Sequence, residues 1–311
     1  WVITNFMNRF DGILAPVVTP FRKDFTPDKD RFLNHCQWIS SKGVNLAVFG
    51  TNSEANSLSV KEKIELLEFL ISSGITGDSL MPGSGCCSIS DTVELTKFAI
   101  TIGCRGVLML PPFFYKGVSD EGLFAYYAEI IEQVNEDNLA IYLYHIPPIS
   151  QIPLSTDLVK RLATEYPDNI AGIKDSSGDW KQTAAFNEMN IPNFRVFCGS
   201  ESFLLKNMRA GGAGCISATA NVNALAINNL FENWDSDRAE SLQESIDQIR
   251  NIFQSYPMIP ALKTAITLQS RDEEWSRVRP PLTTLTKDQI SALNDELSTA
   301  GFTMDDITRH V

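Results

Sequence analysis

The chain has 311 residues, of which 43% are hydrophobic and 21% charged, and these proportions exclude a disordered or fibrous protein. It carries 26 lysines and arginines but 38 aspartates and glutamates, and a net charge of -12 without a dense basic patch argues against nucleic acid or a membrane as a partner. The six cysteines lack metal-ligand spacing, and no apolar run approaches the ~20 residues that span a bilayer. We therefore expect a cytoplasmic protein with reduced thiols.

From Gly12 onward, short apolar runs alternate with amphipathic stretches. Eight runs have the character of strands: "GILAPVV", "NLAVFG", "SLMPGSG", "GVLMLPP", "LAIYLYHIP", "IAGIKD", "FRVFCGSE" and "AGCISATA". Several stretches between them begin at Ser or Asp and end at Gly, which are typical helix caps. Eight successive strand and helix pairs predict an α/β fold, a TIM (β/α)8 barrel. A doubly wound sheet is the alternative, but no G-x-G-x-x-G or Walker A sequence follows any strand.

The loop "GTNSEANS", residues 50–57, follows the second candidate strand. Catalytic groups of this fold lie at the C-terminal ends of strands, so such loops are the places to search. This loop has small side chains, hydroxyls and exposed backbone N–H groups, contributed by Gly50, Thr51, Asn52 and Ser53. Such groups can form an anion-binding concavity. The alternative is a polar loop that caps the helix beginning near Ser59. Glu54 could orient this loop or only add charge to it.

The segment "PPFFYKG", residues 111–117, follows the fourth candidate strand. Its two prolines stiffen the turn, and its aromatic side chains could close a pocket or form a subunit contact. Tyr115 alone among them has a proton to relay, whereas core or interface packing is expected for Phe113 and Phe114.

Tyr144 ends the fifth candidate strand and Lys174 the sixth. Neighbouring strands are ~4.8 Å apart, so the phenol could reach the amine. A neutral lysine in a crowded barrel mouth can attack a carbonyl carbon, and a tyrosine beside it can carry protons. The alternatives are a lysine that extends to solvent or pairs with Asp175, and a tyrosine that belongs to the core. His145 alternates to the other face and is expected to pack outside the barrel.

The loops after the fifth, sixth and seventh candidate strands, including residues 148–153, 175–179 and 199–202, could set substrate specificity. Candidates for binding substrate are Ser176, Gly199, Ser200 and Glu201. Glu201 could equally cap the helix that follows it.

The C-terminal part of the chain shows no further strand signal. Its apolar residues recur at helical spacing, as in "DRAESLQESIDQIRNIFQSY" and "TKDQISALNDELSTAG". We therefore predict a barrel domain over residues 9–234 and, over residues 235–311, a helical extension packed on its side.

Taken together, these segments resemble the pyruvate-dependent Schiff-base lyase family that includes dihydrodipicolinate synthase, N-acetylneuraminate lyase and 2-keto-3-deoxy-sugar-acid aldolases and dehydratases. "GILAPVVTPF", "GTNSE", "YHIP", "GIKDSSGD", "GSE" and "GCISATANV" occur in the family's order and spacing over residues 9–300. The resemblance implies a TIM barrel with a helical C-terminal extension, assembled as a homotetramer that is a dimer of dimers. It also implies that neither a metal nor an organic cofactor is needed.

The resemblance assigns roles to individual residues. Lys174 would form the imine with the 2-oxo carbon of the substrate, and Tyr144 would shuttle protons. The loop of Gly50, Thr51 and Asn52 would hold the substrate carboxylate, with Thr51 also in the proton relay. The backbone at Ile216 would face the pyruvate. The imine would act as an electron sink for the carbanion equivalent at C3.

The sequence departs from dihydrodipicolinate synthases at three places. "YHIPPISQ" lacks the arginine that binds the second substrate's carboxylate, and Phe114 replaces a relay tyrosine that a neighbouring subunit supplies. Tyr115 would align with a relay tyrosine in the N-acetylneuraminate lyases instead. In the first loop, Asn52 replaces a threonine and Ser53 a glycine. The first two departures favour cleavage or dehydration of a 2-oxo-3-deoxy acid over condensation of pyruvate with aspartate semialdehyde, and the altered first loop motivates a hypothesis in which turnover is lost. A catalytically inactive ligand-binding barrel is the alternative of another class.

Overall fold

The computed structural model describes residues 9–310. Within them, one parallel sheet has the strand order β2-β1-β7-β6-β5-β4-β3. Its strands are β1 (Gly12–Ala15), β2 (Asn45–Leu46), β3 (Val107–Met109), β4 (Ile141–His145), β5 (Ile170–Asp175), β6 (Arg195–Cys198) and β7 (Gly214–Ile216).

The sheet closes into a barrel through the segment between β2 and β3. Single parallel bridges join Leu46 to Leu80 and Gly83 to Leu108. This segment is the third strand that the sequence predicts, but it is an irregular connection, because Pro82 has no N–H to donate to a ladder. With this closure the predicted (β/α)8 barrel is confirmed. The fifth and sixth predicted strands are β4 and β5.

Nine helices surround the barrel in the described part of the chain. They are α1 (Lys29–Ser40), α2 (Val60–Ser72), α3 (Ile89–Thr101), α4 (Asp120–Val134), α5 (Pro147–Ser150), α6 (Thr156–Glu165), α7 (Trp180–Glu188), α8 (Leu204–Arg209) and α9 (Ala224–Glu232). Most of the longer ones begin at a Ser or Asp side chain that accepts a hydrogen bond from the first turn, for example Ser59 before α2 and Ser88 before α3.

Three further helices follow: α10 (Ala239–Gln254), α11 (Met258–Ser270) and α12 (Lys287–Thr299). α10 packs on α8 and α9, and α11 packs on α12 and on the turn Thr51–Ser53. The boundary after residue 234 stays a prediction, and Val311, the last residue of the predicted extension, lies outside the described residues.

Alternation along β4 separates two cores. Tyr142 and Tyr144 belong to the cluster inside the barrel, whereas Leu143 belongs to the cluster between the sheet and the helices. His145 also faces outward, as predicted: its Nδ1 accepts a hydrogen bond from the Leu154 N–H at 3.0 Å, and its ring lies 5.5 Å from the Phe186 ring. The period of a strand therefore decides which side chains of β4 can reach the barrel mouth.

His35 of α1 lies deep between the barrel and the C-terminal helices. Its ring stacks on Trp38 and meets Trp275 edge-on at a centroid distance of 5.1 Å, and its Nε2 lies 3.4 Å from Asn221 Oδ1. Burial lowers the pKa of His35 from 6.5 to about 4. The native protein therefore keeps this imidazole neutral at a pH where the unfolded chain protonates it.

This difference predicts an acid-dependent loss of stability. Between pH 6.5 and pH 4 the unfolded state binds a proton at His35 that the native state does not, so the free energy of unfolding falls by about 3 kcal/mol over that window. In His35→Gln this contribution is absent. Urea denaturation at pH 7 and pH 4.5 should show a smaller pH dependence in the variant than in the wild type. Equal dependence in both proteins would contradict the assignment.

Candidate active site

The register between β4 and β5 brings Lys174 and Tyr144 together. The two residues are direct partners in the parallel ladder, and Lys174 Nζ lies 4.2 Å from the centroid of the Tyr144 ring. Each residue is only 2% exposed. The inward direction of Tyr144 follows from its place in the cluster inside the barrel. The predicted proximity of the phenol and the amine is thus present in the structure.

Lys174 does not pair with its sequence neighbour. Asp175 accepts hydrogen bonds from the Ser177 N–H at 3.0 Å and from Thr183 Oγ1 at 2.5 Å. Because successive side chains of a strand point to opposite faces, this carboxylate lies on the helix side of the sheet. Among residues 9–310, Lys174 makes no hydrogen bond or ion pair. The alternatives of a Lys174–Asp175 pair and of a solvent-exposed lysine are therefore wrong.

Thr51 extends this pair into a row of three groups. Its Oγ1 and the Tyr144 hydroxyl share a hydrogen bond of 3.1 Å. Amine, phenol and hydroxyl thus follow one another at the C-terminal ends of the strands, where this fold places its chemistry. Such a row suits proton transfer to and from a group bound to the amine.

The loop that carries Thr51 is held by its own polar groups. Ser53 Oγ accepts a hydrogen bond from the Gly50 N–H at 3.1 Å, and the Ser53 carbonyl accepts one from Thr19 Oγ1 at 2.7 Å. The serine that departs from the expected glycine therefore closes the turn with its hydroxyl. Asn52 is the middle residue of the turn Thr51–Ser53.

The loops after β5 and β6 meet at the same end of the barrel. The Gly199 N–H donates to the Asp175 carbonyl at 2.7 Å, and the Ser176 N–H donates to the His145 carbonyl at 2.7 Å. A Cβ on Gly199 would lie 2.7 Å from the Asp175 carbonyl oxygen, a backbone atom that cannot move aside, so only glycine allows this approach. Ser200 caps the 3-10 turn that follows, since its Oγ accepts from the Ser202 N–H. Ile216 ends β7 and is buried inside the barrel.

Glu201 is placed differently from the sequence prediction. It is fully buried, and its carboxylate accepts hydrogen bonds from the Ser217 and Thr219 hydroxyls and from Arg250 Nη1 at 3.3 Å. A buried carboxylate needs such donors, and these come from the loop after β7 and from α10. Glu201 therefore contacts the protein itself, where we expected substrate hydroxyls. It also does not cap α8, the helix that follows, since the N-cap residue of α8 is Phe203.

Tyr115 lies outside the row of Lys174, Tyr144 and Thr51. Its side chain is 74% exposed and packs edge-to-face on Phe114, itself 72% exposed, at 5.3 Å. Tyr115 makes no hydrogen bond within the described part of the chain. Lys116 fixes the loop by donating to the Ser150 carbonyl at 2.7 Å. A single copy of the chain thus leaves the predicted relay tyrosine in solvent.

Sequence reasoning did not identify Lys263. This residue of α11 is fully buried and forms an ion pair with Glu54. The available signal was a lone lysine in the apolar stretch "MIPALKTAI". A charged residue in an apolar helix face indicates a buried partner.

Neither a metal site nor a membrane-spanning helix is found among residues 9–310. No group of three or more His, Cys, Asp or Glu side chains is arranged to hold a metal ion there. Over the same residues, no helix has the length and hydropathy that crossing a bilayer requires.

The chain is similar to proteins of known family. The profile of the Dihydrodipicolinate synthetase family matches residues 9–300. A protein of Chloroflexus aurantiacus named an uncharacterized DapA-like lyase is 28% identical over 286 residues, which cover 91% of this chain and 94% of that protein.

Two solved structures are also similar. The structure of dihydrodipicolinate synthase from Agrobacterium tumefaciens has a TM-score of 0.86 at 28% identity, covering 93% of this chain and 99% of that one. The E. coli K12 prophage protein YagE, solved in complex with pyruvate, has a TM-score of 0.86 at 26% identity. The match covers 94% of this chain and 99% of YagE.

Proposed function

We propose that the reaction of this protein proceeds through an imine. The premise is that the chain belongs to the dihydrodipicolinate synthetase family of lyases and aldolases. Lys174 would form this Schiff base with the 2-oxo carbon of pyruvate or of a 2-oxo-3-deoxy acid. The observation that carries the proposal is the buried Lys174 amine, 4.2 Å from the Tyr144 ring, whose hydroxyl hydrogen-bonds to Thr51. YagE, the similar protein solved with pyruvate, supports a 2-oxo acid as the ligand.

Lys174 and Tyr144 have different roles in imine formation. The Lys174 nitrogen attacks the 2-oxo carbon, forming a C–N bond while the carbonyl π electrons move to oxygen. Tyr144, whose hydroxyl meets Thr51 at 3.1 Å, supplies the proton that lets the resulting hydroxyl leave as water. In cleavage, the electrons of the breaking C3–C4 bond flow into the imine, and Tyr144 takes the proton from the C4 hydroxyl. C4 leaves as an aldehyde, Tyr144 returns the proton to C3, and hydrolysis of the imine releases pyruvate and free Lys174.

The substrate carboxylate would bind the loop of Gly50, Thr51 and Asn52. Donors on a turn that is itself hydrogen-bonded are pre-organised, so little entropy is lost on binding. Ser176, Gly199 and Ser200 would meet the distal part of the substrate, with the Ile216 backbone beside the pyruvate unit. No metal or organic cofactor takes part in this scheme, because the imine itself is the electron sink.

We favour cleavage or dehydration of a 2-oxo-3-deoxy acid. The loop after β4 carries no arginine for a second carboxylate, and the loops after β5 and β6 offer hydroxyls and backbone groups that suit a polyol chain. The names of similar proteins make 4-hydroxy-tetrahydrodipicolinate synthesis from pyruvate and aspartate semialdehyde the alternative. An inactive ligand-binding barrel would have no need of an amine placed against a phenol.

A homotetramer, as a dimer of dimers, is part of the proposal. Exposed apolar side chains around the loops after β3 and β4 support it, since such patches mark interfaces. They are Phe114, Tyr115, Val118 and Ile149. Contact with a second copy through this patch would remove Tyr115 from solvent and bring it near a neighbouring site. Light scattering of the purified protein measures the mass of the assembly.

Borohydride reduction tests the proposal directly. The protein is incubated with pyruvate and borohydride, and the modified peptide is mapped by mass spectrometry. We expect one stable adduct, on Lys174, because reduction converts the imine to a secondary amine. Omitting pyruvate is the control. The absence of an adduct, or an adduct on a different lysine, would refute the Schiff-base assignment.

A panel of substrates then separates the reactions. Pyruvate release is measured with 2-oxo-3-deoxy sugar acids and with sialic acid, and consumption of pyruvate is measured with aspartate semialdehyde. We expect turnover in the first group. Turnover only with aspartate semialdehyde would favour the synthase, and adduct formation without any turnover would favour the binding protein.

A further inference from the structure

Lys263 is a lysine without access to solvent. It is the only charged residue of α11, it is 0% exposed, and its Nζ lies 4.6 Å from the centroid of the Phe21 ring. Removing an ammonium group from water is strongly unfavourable unless partners replace the lost hydration. A lysine at such a position therefore depends on the groups that it contacts.

Its partners belong to the loop of the candidate active site and to the segment after α11. Lys263 Nζ donates to one oxygen of the Glu54 carboxylate and to the Arg277 carbonyl at 2.8 Å. The other Glu54 oxygen accepts the Arg279 N–H at 2.8 Å. Glu54 is itself buried. The C-terminal helical region thus holds this carboxylate from two sides.

Glu54 directly follows the turn Thr51–Ser53. Its own N–H donates to the Thr51 carbonyl at 3.1 Å, and its backbone is left-handed, with φ 56°. That conformation is unfavourable for a non-glycine residue and persists only where surrounding contacts impose it. The contacts of the Glu54 side chain with Lys263 and Arg279 impose it here. Together with the hydrogen bonds of Ser53, they hold the turn in which Thr51 meets the Tyr144 hydroxyl.

We propose that Lys263 is a positioning residue of the active site, which acts through Glu54 to hold the turn that carries Thr51 and Asn52. The inference rests on the proposed function, because the turn matters only if it binds the carboxylate of a 2-oxo acid. It gives the C-terminal helical region a part in catalysis through the loop that it contacts.

A similar arrangement supports this role. Arg250 of α10 contacts buried Glu201, whose carboxylate holds Ser217 and Thr219 in the loop after β7. Two helices of the C-terminal region thus each reach a loop at the barrel mouth through a buried carboxylate.

The test measures how much pyruvate is needed for borohydride trapping on Lys174. In Lys263→Met, an apolar side chain of similar length removes the ion pair of Glu54, which keeps only the hydrogen bond from the Arg279 backbone N–H. The turn is then held less firmly. We expect the half-saturating pyruvate concentration to rise about 10-fold, while the trapped fraction at saturation stays complete. Arg31→Met is the control: it removes the ion pairs of Arg31 with Asp272 at 2.6 Å and with Asp28 at 2.8 Å, both outside the loop of residues 50–57, and should trap like the wild type.

The pH dependence provides a readout that a purely structural role would not change. Burial lowers the pKa of Lys263 to about 8, with Glu54 opposing the shift and Arg277 and Arg279 adding to it. Above that pH the wild-type amine loses its charge and its attraction to Glu54. The ratio of half-saturating concentrations, variant over wild type, should therefore fall from about 10 at pH 7 toward about 1 at pH 9.5. Titrations of groups shared by both proteins cancel in this ratio.

Failures of the two proposals are distinguishable. If the wild type itself forms no adduct, the Schiff-base function is refuted. If the wild type is trapped on Lys174 and Lys263→Met has the same half-saturation at pH 7, the positioning role is refuted. Should Lys263→Met not fold, Glu54→Gln removes the negative charge with little change of shape. In Glu54→Gln the half-saturating pyruvate concentration should also rise. If it equals that of the wild type, the inference is overturned.

Discussion

Replacing Lys174 by alanine should abolish both turnover and borohydride trapping while the barrel stays folded. The reaction we propose has no route without the imine, so activity should fall by at least about 10⁴-fold. Folding should survive, because the side chain makes no hydrogen bond or ion pair within residues 9–310 whose partner would be left unsatisfied. Circular dichroism and thermal unfolding check the fold, and a pyruvate-release assay checks the activity.

Two controls separate the chemistry from the charge. Lys174→Arg keeps a cation at the same position on β5 but cannot form an imine, so it should be as inactive as the alanine variant. Lys181→Ala removes an exposed lysine seven residues later, at the start of α7, and should behave like the wild type. An active Lys174→Arg enzyme would show that another lysine carries the reaction.

Replacing Tyr144 by phenylalanine should lower kcat by about 10²–10⁴-fold. The ring and its contact with Lys174 remain, but the hydroxyl that meets Thr51 at 3.1 Å is lost. Imine formation with pyruvate should still occur, more slowly, because Lys174 is intact. Single-turnover measurements with and without borohydride distinguish slow proton transfer from lost binding.

Tyr142→Phe is the matched control on the same strand and the same inner face. Tyr142 precedes Tyr144 by two residues and lies farther from the C-terminal end of β4. Its hydroxyl accepts a hydrogen bond from the Phe10 N–H at 2.7 Å. Losing it leaves a buried N–H unsatisfied, which costs about 1–3 kcal/mol of stability. Turnover should be retained. Equal losses of kcat in both variants would mean that the Tyr144 hydroxyl supports structure and not proton transfer.

Much of the fold and the centre of the site could be predicted from short-range patterns. The alternation of apolar runs with capped amphipathic stretches predicted the barrel, and the period of two along β4 predicted that Tyr144 faces inward and His145 outward. Because neighbouring strands end at the same face, the sequence positions of Tyr144 and Lys174 already predicted their proximity. Pro82 explains why the third strand is irregular, a local feature that the hydrophobic pattern does not reveal.

The remaining features depend on contacts between distant parts of the chain. Nothing near Glu201 in the sequence indicates that Ser217, Thr219 and Arg250 enclose its carboxylate. Exposed Tyr115 is a similar case, since a strand-end pattern cannot show whether a loop folds over its own barrel or away from it.

The sequence by itself determined the class of fold, the family resemblance and the residues that should meet at the strand ends, because periodicity and strand order are local properties of the chain. Only the tertiary structure decided which buried charges neutralise one another. Lys263 and Glu54 are 209 residues apart, and their pairing follows from how α11 packs on the turn Thr51–Ser53. A buried ammonium must find an anion wherever packing supplies one, and no local pattern specifies that choice.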